Sequence, residues 1–143
     1  MKLETAYEDV KLFQKTFDHP VGEFPQRLTE ERKAARLSWM QEELDEYKEA
    51  STVHDEADAL IDALYFIFGT FVEMGVNPAP LFDIVQKANM AKLFPDGTVH
   101  RRPEDGKVIK PPDWVAPEPQ LIEEITRQMA EALAGLKEVA SGQ

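Results

Sequence analysis

The chain contains no cysteine. That excludes a disulfide framework, a thiolate zinc site and a cysteine nucleophile, and it accords with a cytoplasmic protein. A long apolar run is also missing. The longest, Ala63 to Val72, is interrupted by Gly69 and Thr70 and is too short to cross a bilayer. The opening residues, Met1-Lys2-Leu3-Glu4, lack the apolar stretch of a secretory leader. No membrane partner is expected. Positive charge is scarce as well, since 16 Lys and Arg against 27 Asp and Glu give a formal net charge of −11. A surface built for nucleic acid usually shows a basic stripe, and none is visible here, so no nucleic-acid partner is expected either.

What is present is a chain of 143 residues, 43% of them apolar. This length suits a single buried core. The excess of acid reads in two ways. It aids solubility, or part of it holds divalent cations that would let an acidic protein bind an anionic substrate.

Helical periodicity dominates. Tyr7, Val10, Phe13 and Phe17 predict a first helix over about Thr5 to Phe17, ended by His19-Pro20. A second helix is expected from Thr29, its N-cap, to about Ala50. Leu37, Met40, Leu44 and Tyr47 form its apolar stripe. The third, Val53 to Met74, is apolar over much of its surface and should lie centrally, with Gly75 closing it. The fourth runs from Ala79 to Lys92. Turn signals at Pro95-Asp96-Gly97 and Glu104-Asp105-Gly106 then flank segments, Thr98 to Arg101 and Lys107 to Ile109, that could pair as a small hairpin or stay irregular. After a proline-rich linker, a last helix over Gln120 to Val139 carries Ile122, Ile125, Met129, Leu133 and Leu136. The division expected is residues 1–115 as the domain and residues 116–143 as a C-terminal helix packing on the core or on a partner subunit.

Two acid rows stand out. Glu43 and Glu46 are three apart and share a face of the second helix, with Glu42 on its edge. Asp55, Asp58 and Asp62 lie on the third. Asp62 is set among Ile61, Ala63, Leu64 and Tyr65, where an unpaired carboxylate costs several kcal/mol. Two helices joined by a short loop are neighbours, so the rows can face each other and offer hard oxygen ligands for Mg²⁺ or Mn²⁺. Read alone, Glu42, Glu43 and Glu46 are equally a solvated helix face, and Asp55 and Glu56 are dipole partners at a helix start. A di-iron site would need Glu-x-x-His pairs, which are missing, and His54 is a helix-start residue. Asn89 and Lys92 suit phosphate oxygens, although a Lys near a helix C-terminus also complements the dipole. Arg101, Arg102, Lys107 and Lys110 make the following segment locally basic. Trp39, Phe94 and Trp114 are core aromatics or surfaces for stacking a base.

Three segments taken in order, Glu42-Glu43-Leu44-Asp45-Glu46, Asp58-Ala59-Leu60-Ile61-Asp62 and Asn89-Met90-Ala91-Lys92, resemble the all-α NTP pyrophosphatase superfamily. That group includes MazG, the dimeric dUTPases and phosphoribosyl-ATP pyrophosphohydrolase. The tail from Phe94 to Pro112 is similar to a MazG-like bacterial branch with dUTPase-type activity. The resemblance spans Tyr7 to Trp114, and order and spacing carry it. It implies a four-helix core with a small irregular or hairpin segment and an extra C-terminal helix. It implies Glu43, Glu46 and Asp62 as ligands of Mg²⁺ (Mn²⁺ as an alternative), and Asn89 and Lys92 as phosphate contacts. Where the family pattern has a Glu this chain has Ala59, and Asp58 is the expected substitute. Glu42 is the expected general base, with Glu43 beside it, and Trp39 and Arg101 are expected to touch substrate. The implied activity is hydrolysis of a nucleoside triphosphate, with dUTP favoured by branch, to the monophosphate and pyrophosphate by a homodimer or homotetramer. Two alternatives stand beside it: a non-catalytic helical module that binds nucleotide or a partner, supported by Ala59, and a structural bundle whose acids serve solubility.

Overall fold

The computed structural model describes residues 1–142; Gln143, the last residue of the expected C-terminal segment, lies outside them. In chain order the elements are α1 (Leu3–Thr16), α2 (Glu30–Glu49), α3 (Val53–Met74), α4 (Pro78–Met90), β1 (His100–Arg101), β2 (Val108–Ile109) and α5 (Glu118–Ser141). This is an all-α fold with a small antiparallel hairpin, in which His100 faces Ile109 and Arg101 faces Val108.

The helix ends follow from local chemistry. Thr29 accepts a hydrogen bond from the Arg32 amide at 3.2 Å, and Thr52 accepts one from the Asp55 amide at 3.2 Å. Each satisfies a donor that has no partner within its helix. Gly75 ends α3 in the left-handed conformation (φ 72°), which is open to glycine at no steric cost. A side chain there would also meet the Phe24 carbonyl at 2.8 Å.

Two boundaries differ from expectation for the same reason. α4 begins at Pro78, and α5 begins at Glu118 with Pro119 in its first turn. Proline suits that turn because the amide it lacks would be unpaired anyway, so part of the expected stiff linker is helix. α4 also stops earlier than expected, at Met90. Lys92 and Leu93 bond back only three residues, to Asn89 and Met90, and this tightened turn carries Lys92 off the α-helical path.

α2 and α3 pack together most extensively, and α3 also packs on α1; α4 lies against α1 and α5. Tyr7, Val10, Phe68 and Val72 form the buried cluster, with Leu3, Ala6, Val21 and Phe71 packed against it. The core therefore sits between α1 and the C-terminal half of α3. Gln128 of α5 bonds both the amide and the carbonyl of Asn77, fixing α5 to the entrance of α4. Among the described residues no single helix is long and apolar enough to cross a membrane.

The expected apolar stripes are only partly covered. On α2 the buried residue is Arg36, while Leu37 is 61% exposed and Leu44 and Tyr47 are exposed as well. On α3, Leu60, Ile61, Leu64 and Ile67 face outward. Phe17, Ile122, Leu133 and Leu136 are exposed too. Periodicity finds an apolar face but does not say whether the same chain covers it.

Candidate metal centre and its surroundings

The α2–α3 pair is antiparallel, and its register can be followed along its length. Arg36 meets Glu73, Trp39 meets Phe66 with ring centres 5.8 Å apart, and near the connecting turn Glu43 and Glu46 meet Asp62. Carboxylate oxygens of these last three residues all lie within 4.8 Å of one another. Glu43 and Asp62 are half-buried and Glu46 is exposed. Like charges so close repel strongly unless a proton or a cation intervenes.

The electrostatics record this crowding. Burial, a hydrogen bond with Glu46 and the charges of Glu46, Asp62 and Asp58 push the Glu43 carboxyl up to about 7. Burial, then Asp58 and Glu46, raise Asp62 above its usual range. Asp58 thus acts on both groups although it lies outside the tight trio. One Glu43 oxygen, Oε2, is buried with no hydrogen-bond partner. A buried acceptor left unpaired is costly, and a hard divalent cation among three carboxylates would satisfy it. The donor set, all oxygen and partly open, fits Mg²⁺ or Mn²⁺ better than zinc. Glu42 is exposed on the adjoining edge of α2.

Ala59 is 2% exposed. It lies one residue from Asp58 and faces into the packing, so the position that carries a Glu in the family pattern is here part of the core. The expectation that Asp58 replaces that Glu meets a structure in which Asp58 is exposed and reaches the trio through its charge.

The other expected site residues lie elsewhere. Trp39 is half-buried against Phe66, with the guanidinium carbons of Arg32 and Arg36 5.0 Å and 5.2 Å from its ring centre. Asn89 is exposed at the end of α4. Lys92 lies 5.6 Å from the centre of the Trp114 ring, and the Trp114 indole donates to the Ala88 carbonyl at 2.7 Å. Arg101 donates to the Gly106 carbonyl at 3.2 Å, which ties it to its own hairpin. Phe94 packs against His100, with ring centres 3.9 Å apart and ring planes tilted by 32°.

Glu73 belongs to no motif that sequence reasoning singles out. Its side chain is 1% exposed, and it pairs with Arg36 and, at 2.6 Å, with Arg32. Gly69 makes room for this pairing, because a Cβ there would stand 2.6 Å from an Arg36 nitrogen. The available signal is a single acid in the apolar end of α3, with arginines at mirrored positions across the α2–α3 turn.

Comparison with known proteins agrees with this geometry. A family model for phosphoribosyl-ATP pyrophosphohydrolase matches residues 10–89, a span that holds every member of the acid trio. Among solved structures, the chain is similar to a candidate NTP pyrophosphohydrolase from Exiguobacterium sp. 255-15. The two share 38% identity over 88% of this chain and 96% of that one, with a TM-score of 0.52. No curated protein matches significantly. The family match and the acid-bearing helix pair together lead to one conclusion: the chain belongs to the phosphoribosyl-ATP pyrophosphohydrolase family, within the all-α NTP pyrophosphatase superfamily.

Proposed function

We propose that the chain is a nucleoside triphosphate pyrophosphohydrolase. The observation that carries this reading is the convergence of Glu43, Glu46 and Asp62 from two helices, with a buried Glu43 oxygen lacking any partner. These three residues would hold Mg²⁺, or Mn²⁺, with Asp58 adding charge from the rim. When bound, the cation would supply charge neutralisation on the phosphate chain and activation of water.

The residues of the chain then divide the work. Glu42 orients a water and accepts its proton. The water oxygen bonds to the α-phosphorus, the bond from that phosphorus to the bridging oxygen breaks in line, and pyrophosphate leaves with the bridging oxygen. Asn89 and Lys92 are assigned to phosphate oxygens. Trp39 and Arg101 are assigned to substrate contact, from positions in which both are also engaged within the fold. dUTP is the favoured substrate on the similarity of the tail from Phe94 to Pro112 to one branch of the superfamily, and the cytoplasm is the proposed location.

The assembly we propose is a homodimer or homotetramer. The exposed apolar side chains of α2 and α3, among them Leu37, Leu60, Ile61 and Leu64, form the kind of surface that marks an interface. Residues 116–143 serve either the core of residues 1–115 or a partner subunit; the Gln128–Asn77 bonds support the first.

A second reading, a non-catalytic helical module that binds nucleotide or a partner chain, draws on Ala59 alone. Pyrophosphate release from a panel of deoxynucleoside and ribonucleoside triphosphates with Mg²⁺, against a chelator control, separates the two. Chelator-sensitive release supports the enzyme, and its absence across the panel overturns it.

A further inference from the structure

The segment between α4 and α5 folds back over the end of α4 and leaves a cavity of about 350 Å³. Its walls are Lys92, Arg102, Lys107, Val108, Ile109, Lys110 and Trp114. They include four cations and no acid, in a chain whose formal net charge is −11. Arg102 is neutralised by Asp105, with Glu104 at 4.0 Å, and so shapes the turn. Among the described residues, Lys92, Lys107 and Lys110 form no ion pair with a carboxylate.

Trp114 organises this group. Its indole N–H is committed to Ala88, which fixes the ring, and the ammonium groups of Lys110 and Lys92 lie 4.7 Å and 5.6 Å from the ring centre. An aromatic face holds cations weakly and leaves their other N–H bonds free to point at a ligand. Three lysines line the cavity with no carboxylate among its walls, so an anion that enters can make charge-assisted hydrogen bonds with them. The volume sits at the lower end of the range of about 300–1,000 Å³ typical of ligand sites, suited to a phosphate chain more than to a whole nucleotide.

We propose that this cavity binds a diphosphate group, and that Lys107 and Lys110 of the hairpin segment complete with Lys92 a phosphate-chain site on Trp114. The proposal deepens the functional reading and rests on it for the identity of the anion. The same chemistry has two sources, the β- and γ-phosphates of the substrate and the released pyrophosphate.

The test is calorimetric titration of inorganic pyrophosphate into the full chain with a chelator present, so that the acid trio cannot contribute through a metal. Wild type should bind, and Lys107→Ala/Lys110→Ala should bind about tenfold or more weakly. Circular dichroism on the double variant confirms that its helices are intact, and a Lys107→Arg/Lys110→Arg variant should recover most of the affinity. Absence of binding to wild type, or equal binding to the double alanine variant, overturns the proposal. Kinetics in Mg²⁺ distinguish the sources. A raised KM for nucleotide in the double variant assigns the site to the substrate chain; a weakened inhibition by pyrophosphate with KM unchanged assigns it to the product. If wild type hydrolyses no nucleotide yet pyrophosphate binding depends on Lys107 and Lys110, the cavity stands and the enzyme reading alone fails. Hydrolysis with pyrophosphate binding indifferent to both lysines removes the cavity and leaves the enzyme reading intact.

Discussion

Arg36 and Glu73 form an ion pair in which neither side chain is more than 3% exposed. The pair joins α2 to the last turn of α3, at the end of the helix pair away from the acid trio. A third partner, Arg32, reaches the same carboxylate with two hydrogen bonds at 2.6 Å and 3.1 Å. The network thereby holds the register that brings Glu43 and Glu46 opposite Asp62.

Removing one partner of such a pair strands the other's charge. Glu73→Ala leaves two guanidinium groups without their carboxylate and should destabilise the chain by about 3–5 kcal/mol, read as a lowered urea midpoint. Little change in the midpoint would show that water reaches Arg36 readily and that the register is held by packing.

A cation that binds only the folded chain raises its stability by mass action, by about 2.7 kcal/mol at a hundredfold excess over Kd. Mg²⁺ or Mn²⁺ should therefore raise Tm in the wild type, and Glu46→Ala and Asp62→Ala should lose most of that shift. The same two variants should show no pyrophosphate release from any nucleotide while keeping near-normal helical content by circular dichroism. Full turnover in either variant would remove the proposed metal ligands.

The raised carboxyl of Glu43 has a consequence for pH. In the unfolded chain this group loses its proton near 4.5, and in the folded chain at about 7. Between those values the unfolded state binds fewer protons, so stability falls as pH rises. Metal-free Tm should decline across that window, and Glu43→Gln should flatten the decline. Binding of Mg²⁺ near neutral pH should release protons, detectable as a buffer-dependent heat in calorimetry. A Tm profile unaffected by Glu43→Gln would place the strain on another group.

Ala59 invites restoration of the family's Glu. Its burial argues against it, because Ala59→Glu inserts bulk and charge into a packed contact. Overpacking alone typically costs about 1–3 kcal/mol. Thermal unfolding should show a lower Tm, and Mg²⁺-dependent turnover should not improve. An active and stable Ala59→Glu chain would mean that α3 rotates to present this position to the trio.

The outward apolar faces of α2 and α3 lead to a hydrodynamic expectation. Ile61→Asp with Leu64→Asp should shift the chain toward the monomer in sedimentation velocity. A wild type that already sediments as a monomer would leave those faces without the proposed partner.

The elements readable from the sequence are those governed by local rules. Thr29 caps a helix, Gly75 ends one, and the spacing of Glu43, Glu46 and Asp62 predicts their shared faces. What escapes depends on contacts between distant residues. Glu73 looks like one more helix-end acid until Arg36 and Arg32 arrive from another helix. The exposure of Leu37 and Ile61 depends on which surfaces this one chain happens to cover, and periodicity does not encode that. The end of α4 at Met90, two residues short of the expected Lys92, reflects backbone bonds that tighten to Asn89 and Met90, a choice that side-chain periodicity does not encode.

The three carboxylates come from consecutive helices joined by a turn only a few residues long. Closing so short a loop involves little entropy, and local contacts of this kind form early in folding. The chelating set can therefore be assembled before α1 or α5 docks. A dication in the medium would then act as a template during folding, clasping the nascent helix pair against its own repulsion and speeding its appearance in a stopped-flow trace.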